Sequence, residues 1–119
     1  MSYPFEFGEK TLWDAGYHSG QLYASLAQGA AGFLDVPSGL THTPQGGCAV
    51  DRDAFQAFVQ RLYDRCASTT SKVWWDLARG LLVTSLVLLD RSGGAIVLRP
   101  EDASTLDEEK TALARNMAS

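Results

Sequence analysis

The stretch SKVWWDLARGLLVTSLVLLDR, Ser71 to Arg91, holds two of the three tryptophans and the densest apolar run of the chain. At a helical step of about 100° per residue, Asp76, Arg79, Gly80 and Asp90 gather on one side of a single cylinder. Polar residues on both sides of Gly80 therefore share one frame, which favours one continuous helix over a helix broken at Gly80. Val83 and Val87 lie on the same meridian, so the wet stripe is apolar in its middle. Either another segment of the chain or a second protein must cover them, and both are candidate interface residues. Trp74 points away from the stripe, into the core. Trp75 falls on the flank, at a boundary where an indole keeps its N–H wet and can serve an interface. A rival reading exists for the same residues. LLVTSLVLL, the turn-forming DRSGG and AIVLR also fit a β-hairpin over 82–98, with Gly80 ending a shorter helix. The in-phase Asp90 favours the helix.

Working outward, YPFEFGEKTLW (3–13) reads as a short strand or hairpin laying aromatics on the core. A first helix runs from about Tyr17 or Ser19 to Leu34, with Leu22, Leu26, Ala30 and Phe33 marking its buried side by three-and-four spacing and Tyr23, Ala27 and Leu34 alongside. Its glycines cost helix propensity, which a close approach to another helix would offset. VPSGLTHTPQGGCAV (36–50) is the one long connection, and loops of that length are more often functional or mobile than idle. Asp51 is a good N-cap for a second helix, with Val50 and Phe55 placed as a hydrophobic staple and Phe55, Phe58, Val59, Leu62, Tyr63 and Cys66 on one face. After the central helix, Ala95 to Leu98 reads as a strand whose natural mate is the N-terminal one. A last helix starts near Ser104, with Ser104 and Asp107 resembling a capping box. The expectation is one domain over residues 1–119 with a mainly α fold. It is a three- to four-helix bundle around a buried central helix, with a small antiparallel β element from the N-terminus and residues 95–98. The hairpin reading gives instead an α+β fold.

Composition narrows the function classes. Apolar content of 45% and charged content of 20% are those of an ordinary globular chain. Ten basic against 14 acidic residues give a net charge of −4, which argues against nucleic-acid binding, since phosphates call for a basic face. The longest uncharged run of the central helix, Gly80 to Leu89, falls well short of the roughly 18 residues that a membrane span requires. MSYPFEFGEK lacks a basic region followed by an apolar one, so no signal peptide is expected. Two cysteines, Cys48 and Cys66, without local pairing fit free thiols in a cytoplasmic setting.

Candidate chemistry is sparse. His18, His42, Cys48 and Cys66 are the soft metal ligands, and none is paired at zinc-site spacing, so neither a metal nor another cofactor is expected. A Cys48 nucleophile served by His42 or His18 is chemically allowed, with Gly46 and Gly47 leaving room for a substrate. Asp51 and Asp53, and Asp107 to Glu109, sit at helix starts, where the helix dipole accounts for them. No phosphate-binding glycine motif occurs.

VPSGL (36–40), CAVD (48–51), the FQAFVQRL helix (55–62) and GLLVTSLVLLDRSG (80–93) together resemble a family of small uncharacterised actinobacterial proteins. The resemblance implies a bacterial cytoplasmic setting and supplies no catalytic residue. The functional expectation is a non-enzymatic, acidic protein-interaction module that self-associates as a homo-oligomer and binds a protein partner, in the manner of an immunity protein, antitoxin or accessory subunit. The alternative is a small enzyme or ligand-binding protein with a pocket under the 36–50 loop lined by His42, Cys48 and Trp75.

Overall fold

A computed structural model describes residues 1–119. Strands β1 (Ser2–Phe7) and β2 (Lys10–Gly16) form the expected N-terminal hairpin, and helix α1 (Tyr17–Leu34) follows directly. The 36–50 connection then supplies two three-residue strands, β3 (Leu40–His42) and β4 (Cys48–Val50). Strand β4 pairs parallel to β1, and β3 pairs antiparallel to β4, so the sheet order is β2-β1-β4-β3. Helices α2 (Arg52–Ser68), α3 (Lys72–Arg91) and α4 (Pro100–Ala114) complete the chain. One apolar cluster runs through all eight elements.

This overturns the mainly α expectation. The molecule is α+β, with 59% helix and 16% strand in a four-stranded mixed sheet. The β element was expected from the N-terminus and residues 95–98; its second half comes instead from the 36–50 connection. The hairpin over 82–98 does not form either, because α3 is one unbroken helix of 20 residues. Ser71 caps it by accepting from the Trp74 amide at 3.1 Å.

Residues 95–98 are extended but pair with no strand. The Ala95 amide donates to Gln56 Oε1 at 3.0 Å, and the Val97 amide donates to Gln60 Oε1 at 2.8 Å. Gln60 Nε2 returns a bond to the Val97 carbonyl at 3.1 Å. Two glutamines one helical turn apart on α2 thus do for this segment what a neighbouring strand would do.

Helix α1 is turned by about one residue, roughly 100°, from its expected phase. Gly20, Tyr23, Ala27, Ala31 and Leu34 are buried, while Leu22, Leu26 and Phe33 face outward. Close packing on the sheet decides this: a Cβ on Gly20 would come within 2.9 Å of the Tyr3 side chain and 3.0 Å of Ala15 Cβ. Gly20, Ala27 and Ala31 allow the close contact, Tyr23 and Leu34 complete the buried face, and Leu22, Leu26 and Phe33 are left outside. Gly39, at φ +77°, is fixed in the same way, since a side chain there would run into the Phe55 backbone at the start of α2. At that start Asp51 accepts from the Ala54 amide at 3.3 Å, and Val50 and Phe55 are both buried, as the staple predicts.

Helix α4 begins at Pro100, four residues before the expected Ser104, with Arg99 as N-cap residue. It runs over α3 in the same direction. Arg79 pairs with Glu109 at 2.6 Å, Lys110 reaches Asp90 at 3.7 Å, and Arg91 Nη2 donates to the Ala114 carbonyl at 3.2 Å. Val83 and Val87 lie beneath this crossing, 6% and 2% exposed. They are covered within the chain and are not open to a partner.

Candidate functional site

Helices α1 and α3 lie side by side and antiparallel. Tyr23 and Ser85 share a buried hydroxyl hydrogen bond of 2.7 Å toward one end of the pair, and the Phe33 and Trp74 rings meet at 5.5 Å toward the other. Between them runs an apolar groove of about 200 Å³, lined by Ala30, Phe33, Leu62, Trp74, Leu77 and Leu81 among others. Every residue that lines it is hydrophobic. Leu22, Leu26 and Phe33 stand along one bank, Val73 and Leu77 along the other, each between 52% and 79% exposed. Solitary exposed leucines are ordinary, but five large apolar side chains on neighbouring stripes form a patch.

Two further features set this face apart. Helix α1 carries no Asp, Glu, Lys or Arg over its 18 residues. Gly29 and Gly80, one on each helix, have no atom of the chain within 4 Å of where a Cβ would stand. The Arg65 guanidinium closes one end of the groove, 5.5 Å from both the Phe33 and the Trp74 ring centroids. The buried Trp74 Nε1 has no hydrogen-bond partner within the chain. Burial pushes the Cys66 thiol up, and the neighbouring Trp74 N–H partly offsets that.

His42 and Cys48 do come together. They are register partners across β3 and β4 and line one open cleft of about 550 Å³ with Tyr3, Gln21, Ser25 and Gln28. Tyr3 Oη and His42 Nδ1 are 3.0 Å apart. Burial pushes the Cys48 thiol up to about 11, and its S–H points to the Ala49 carbonyl at 3.7 Å. A nucleophilic cysteine needs the opposite environment, one that favours the thiolate.

Trp75, grouped with them by the sequence reading, lies elsewhere. It is half-buried in a second cleft, of about 530 Å³, between the α2–α3 turn and α4, beside Thr69, Lys72, Arg79, Arg99 and Asp102. The cations there are already paired: Lys72 with Asp76 at 2.7 Å, Arg79 with Glu109 at 2.6 Å, and Arg99 with Asp102 at 3.0 Å. No three His, Cys, Asp or Glu side chains are gathered as a metal site would require.

The sequence reading missed Leu22, Leu26 and Phe33 as surface residues and did not single out Val73 or Leu77. A signal was present in the uncharged α1 sequence. A helix buried by its leucines would ordinarily carry charge on its other side, and this one has none.

Fold and site together define an α+β domain whose most distinctive surface is an uncharged apolar face between two helices. The chain belongs to the family of unknown function DUF6086, which it matches over residues 1–119. No curated protein and no solved structure matches it. No helix is long and apolar enough to cross a membrane.

Proposed function

We propose that this protein is a non-enzymatic protein-interaction module that docks through the α1/α3 face. The observation that carries the reading is the patch itself: large apolar side chains, a groove between them, and an Arg–Trp–Phe cluster at one end. Trp and Arg dominate binding energy where they are desolvated together, and helix-flanked grooves are common receptors for apolar side chains. An immunity protein, an antitoxin or an accessory subunit would use such a face. Two free, buried cysteines support a reducing, cytoplasmic setting, and the sequence resemblance supports a bacterial one.

The test is site-specific photo-crosslinking in the cell of origin, with the reactive side chain at Leu77 and, as control, at Val97, which is 80% exposed on a different part of the surface. A discrete adduct at position 77 and none at 97 is the expected result. An expressed, folded protein that gives no adduct at 77 overturns the reading.

A ligand-binding or enzymatic reading keeps one observation in its favour, the convergence of Tyr3, His42 and Cys48 on one cleft. Burial of the Cys48 thiol, which raises it, favours binding over covalent chemistry in that reading.

A further inference from the structure

We infer that the occupant of the α1/α3 face is a second copy of this chain, related to the first by a two-fold axis. The inference rests on the reading of that face as a docking surface and names what docks there.

Charge is the first reason. The chain carries a net charge of −4, so two copies repel least where they meet over neutral surface. Helix α1 contributes no charged side chain to the face. On α3 the stripe Val73, Leu77, Gly80, Leu81 and Thr84 contributes none either. The nearest α3 charges are neutralised within the chain, Lys72 by Asp76 and Arg79 by Glu109. Apart from the Arg65 guanidinium at one end, held over the Phe33 and Trp74 rings, the face offers a charged partner little to recognise, and its best electrostatic match is another face of low charge.

Shape is the second. The face is a ridge beside a groove: Leu22, Leu26 and Phe33 stand proud on α1, and the floor next to them is set by Ala30, Ala78 and Leu81. A two-fold axis places the ridge of each copy against the groove of the other, the self-complementarity that an isologous contact needs. Gly29 and Gly80, open on this chain, let the partner backbone approach closely.

Area is the third. The five exposed side chains offer on the order of 500–600 Å² of apolar surface, at the upper end of the largest patch on a typical monomer. With the intervening groove the face approaches the roughly 800 Å² per partner of a standard stable interface. Burying it once, against its own copy, uses the whole patch.

The experiment is sedimentation equilibrium on the full chain from micromolar to several hundred micromolar, for wild type and for Leu26→Glu, Leu77→Glu and Val97→Glu. All three replaced side chains are exposed in one copy, so each variant should fold, and circular dichroism verifies that it does. Wild type and Val97→Glu are expected to reach twice the chain mass. Leu26→Glu and Leu77→Glu are expected to raise the dissociation constant about 30-fold or more, the loss expected of a hot-spot residue. A wild-type dimer that survives both Leu26→Glu and Leu77→Glu overturns this inference, since the copies then meet elsewhere, while absence of the Leu77 photo-crosslink overturns the docking role of the face itself. A strictly monomeric wild type overturns the second copy alone, and the photo-crosslink at Leu77 then decides whether another protein docks there.

Discussion

Tyr63 shows how much of this molecule hangs on single polar atoms. Its ring is buried in the core, while its hydroxyl donates to Asp102 Oδ2 at 2.5 Å and accepts from the Arg99 amide at 2.9 Å. Arg99 Nη1 also reaches the Ala67 carbonyl at 3.0 Å, so the start of α4 is tied to α2 through this knot. Tyr63→Phe removes the hydroxyl and leaves its partners unmet, an expected cost of about 1.5–3 kcal/mol for a bond to a charged group, read from urea unfolding. The Tyr63 hydroxyl first, and then Arg99, hold the Asp102 carboxyl below its ordinary 3.8. That stabilisation is therefore present above about pH 4 and is lost as pH falls further, through the folded-state value. Wild type should lose stability on that acid limb more steeply than Asp102→Asn, which has no carboxylate to protonate. Cys48 runs the other way. With its thiol at about 11 against an ordinary 9, the neutral form is favoured by the fold, a contribution complete below about pH 9 and lost between 9 and 11. Native Cys48 should alkylate at pH 8 at least about 100-fold more slowly than in denaturant; comparable rates would refute the burial argument. At this scale the sequence was informative about caps and uninformative about pKa. Asp51 and Ser71 announce themselves by their place before a helix, whereas what surrounds Cys48 depends on the pairing of β4 with β1, which lies some forty residues earlier in the chain.

At the scale of elements, α1 carries the main lesson. Leu22, Leu26 and Phe33 were read as core because size and spacing favour them, yet Gly20, Tyr23, Ala27, Ala31 and Leu34 occupy the buried side. Hydrophobic periodicity counts apolar residues without asking how near the neighbouring backbone lies. At Gly20 the sheet lies so near that no side chain fits. Gly20→Ala should therefore destabilise by about 1–3 kcal/mol through overpacking against Tyr3. Gly32→Ala, in a part of α1 with nothing within 4 Å, should instead gain up to about 1 kcal/mol of helix propensity. Equal effects at the two positions, in thermal or urea unfolding, would mean that the helix does not sit in this phase. Strands β3 and β4 were illegible for a different reason: three residues are too few to show alternation, and β4 joins β1 in parallel across some forty residues of chain. Residues 95–98 do look like a strand and are extended. What the sequence conceals is that Gln56 and Gln60 complete their hydrogen bonds.

For the whole molecule, the central question raised by the sequence was what covers Val83 and Val87. The answer is α4, on one side of α3, while an unrelated apolar face opens on another side, toward α1. The long helix was legible because its polar residues, Asp76 to Asp90, keep phase over about four turns. The site was legible only in part: His42 and Cys48 do share a cleft, but Trp75 stands apart, and the exposed apolar face consists of Leu22, Leu26 and Phe33, taken for core, and of Val73 and Leu77, not singled out. The crossing of α4 has a further consequence. That helix fully buries one residue of its own, Leu106, with Leu113 and Ala114 half-buried against the core and Met117 just beyond its end, and is otherwise fastened by ion pairs, the Arg91 bond to the Ala114 carbonyl and the Tyr63 knot. Fastenings of that kind make α4 a separate cooperative unit, able to lift off while the sheet, α1, α2 and α3 stay folded. Hydrogen exchange should resolve two energies. Amides of α4 should exchange through an opening of lower free energy than those at the centre of α2, and protease nicking within 92–99 should follow the first rather than the second. The stability measured by unfolding the whole chain would then overstate how firmly Val83 and Val87 are kept from water.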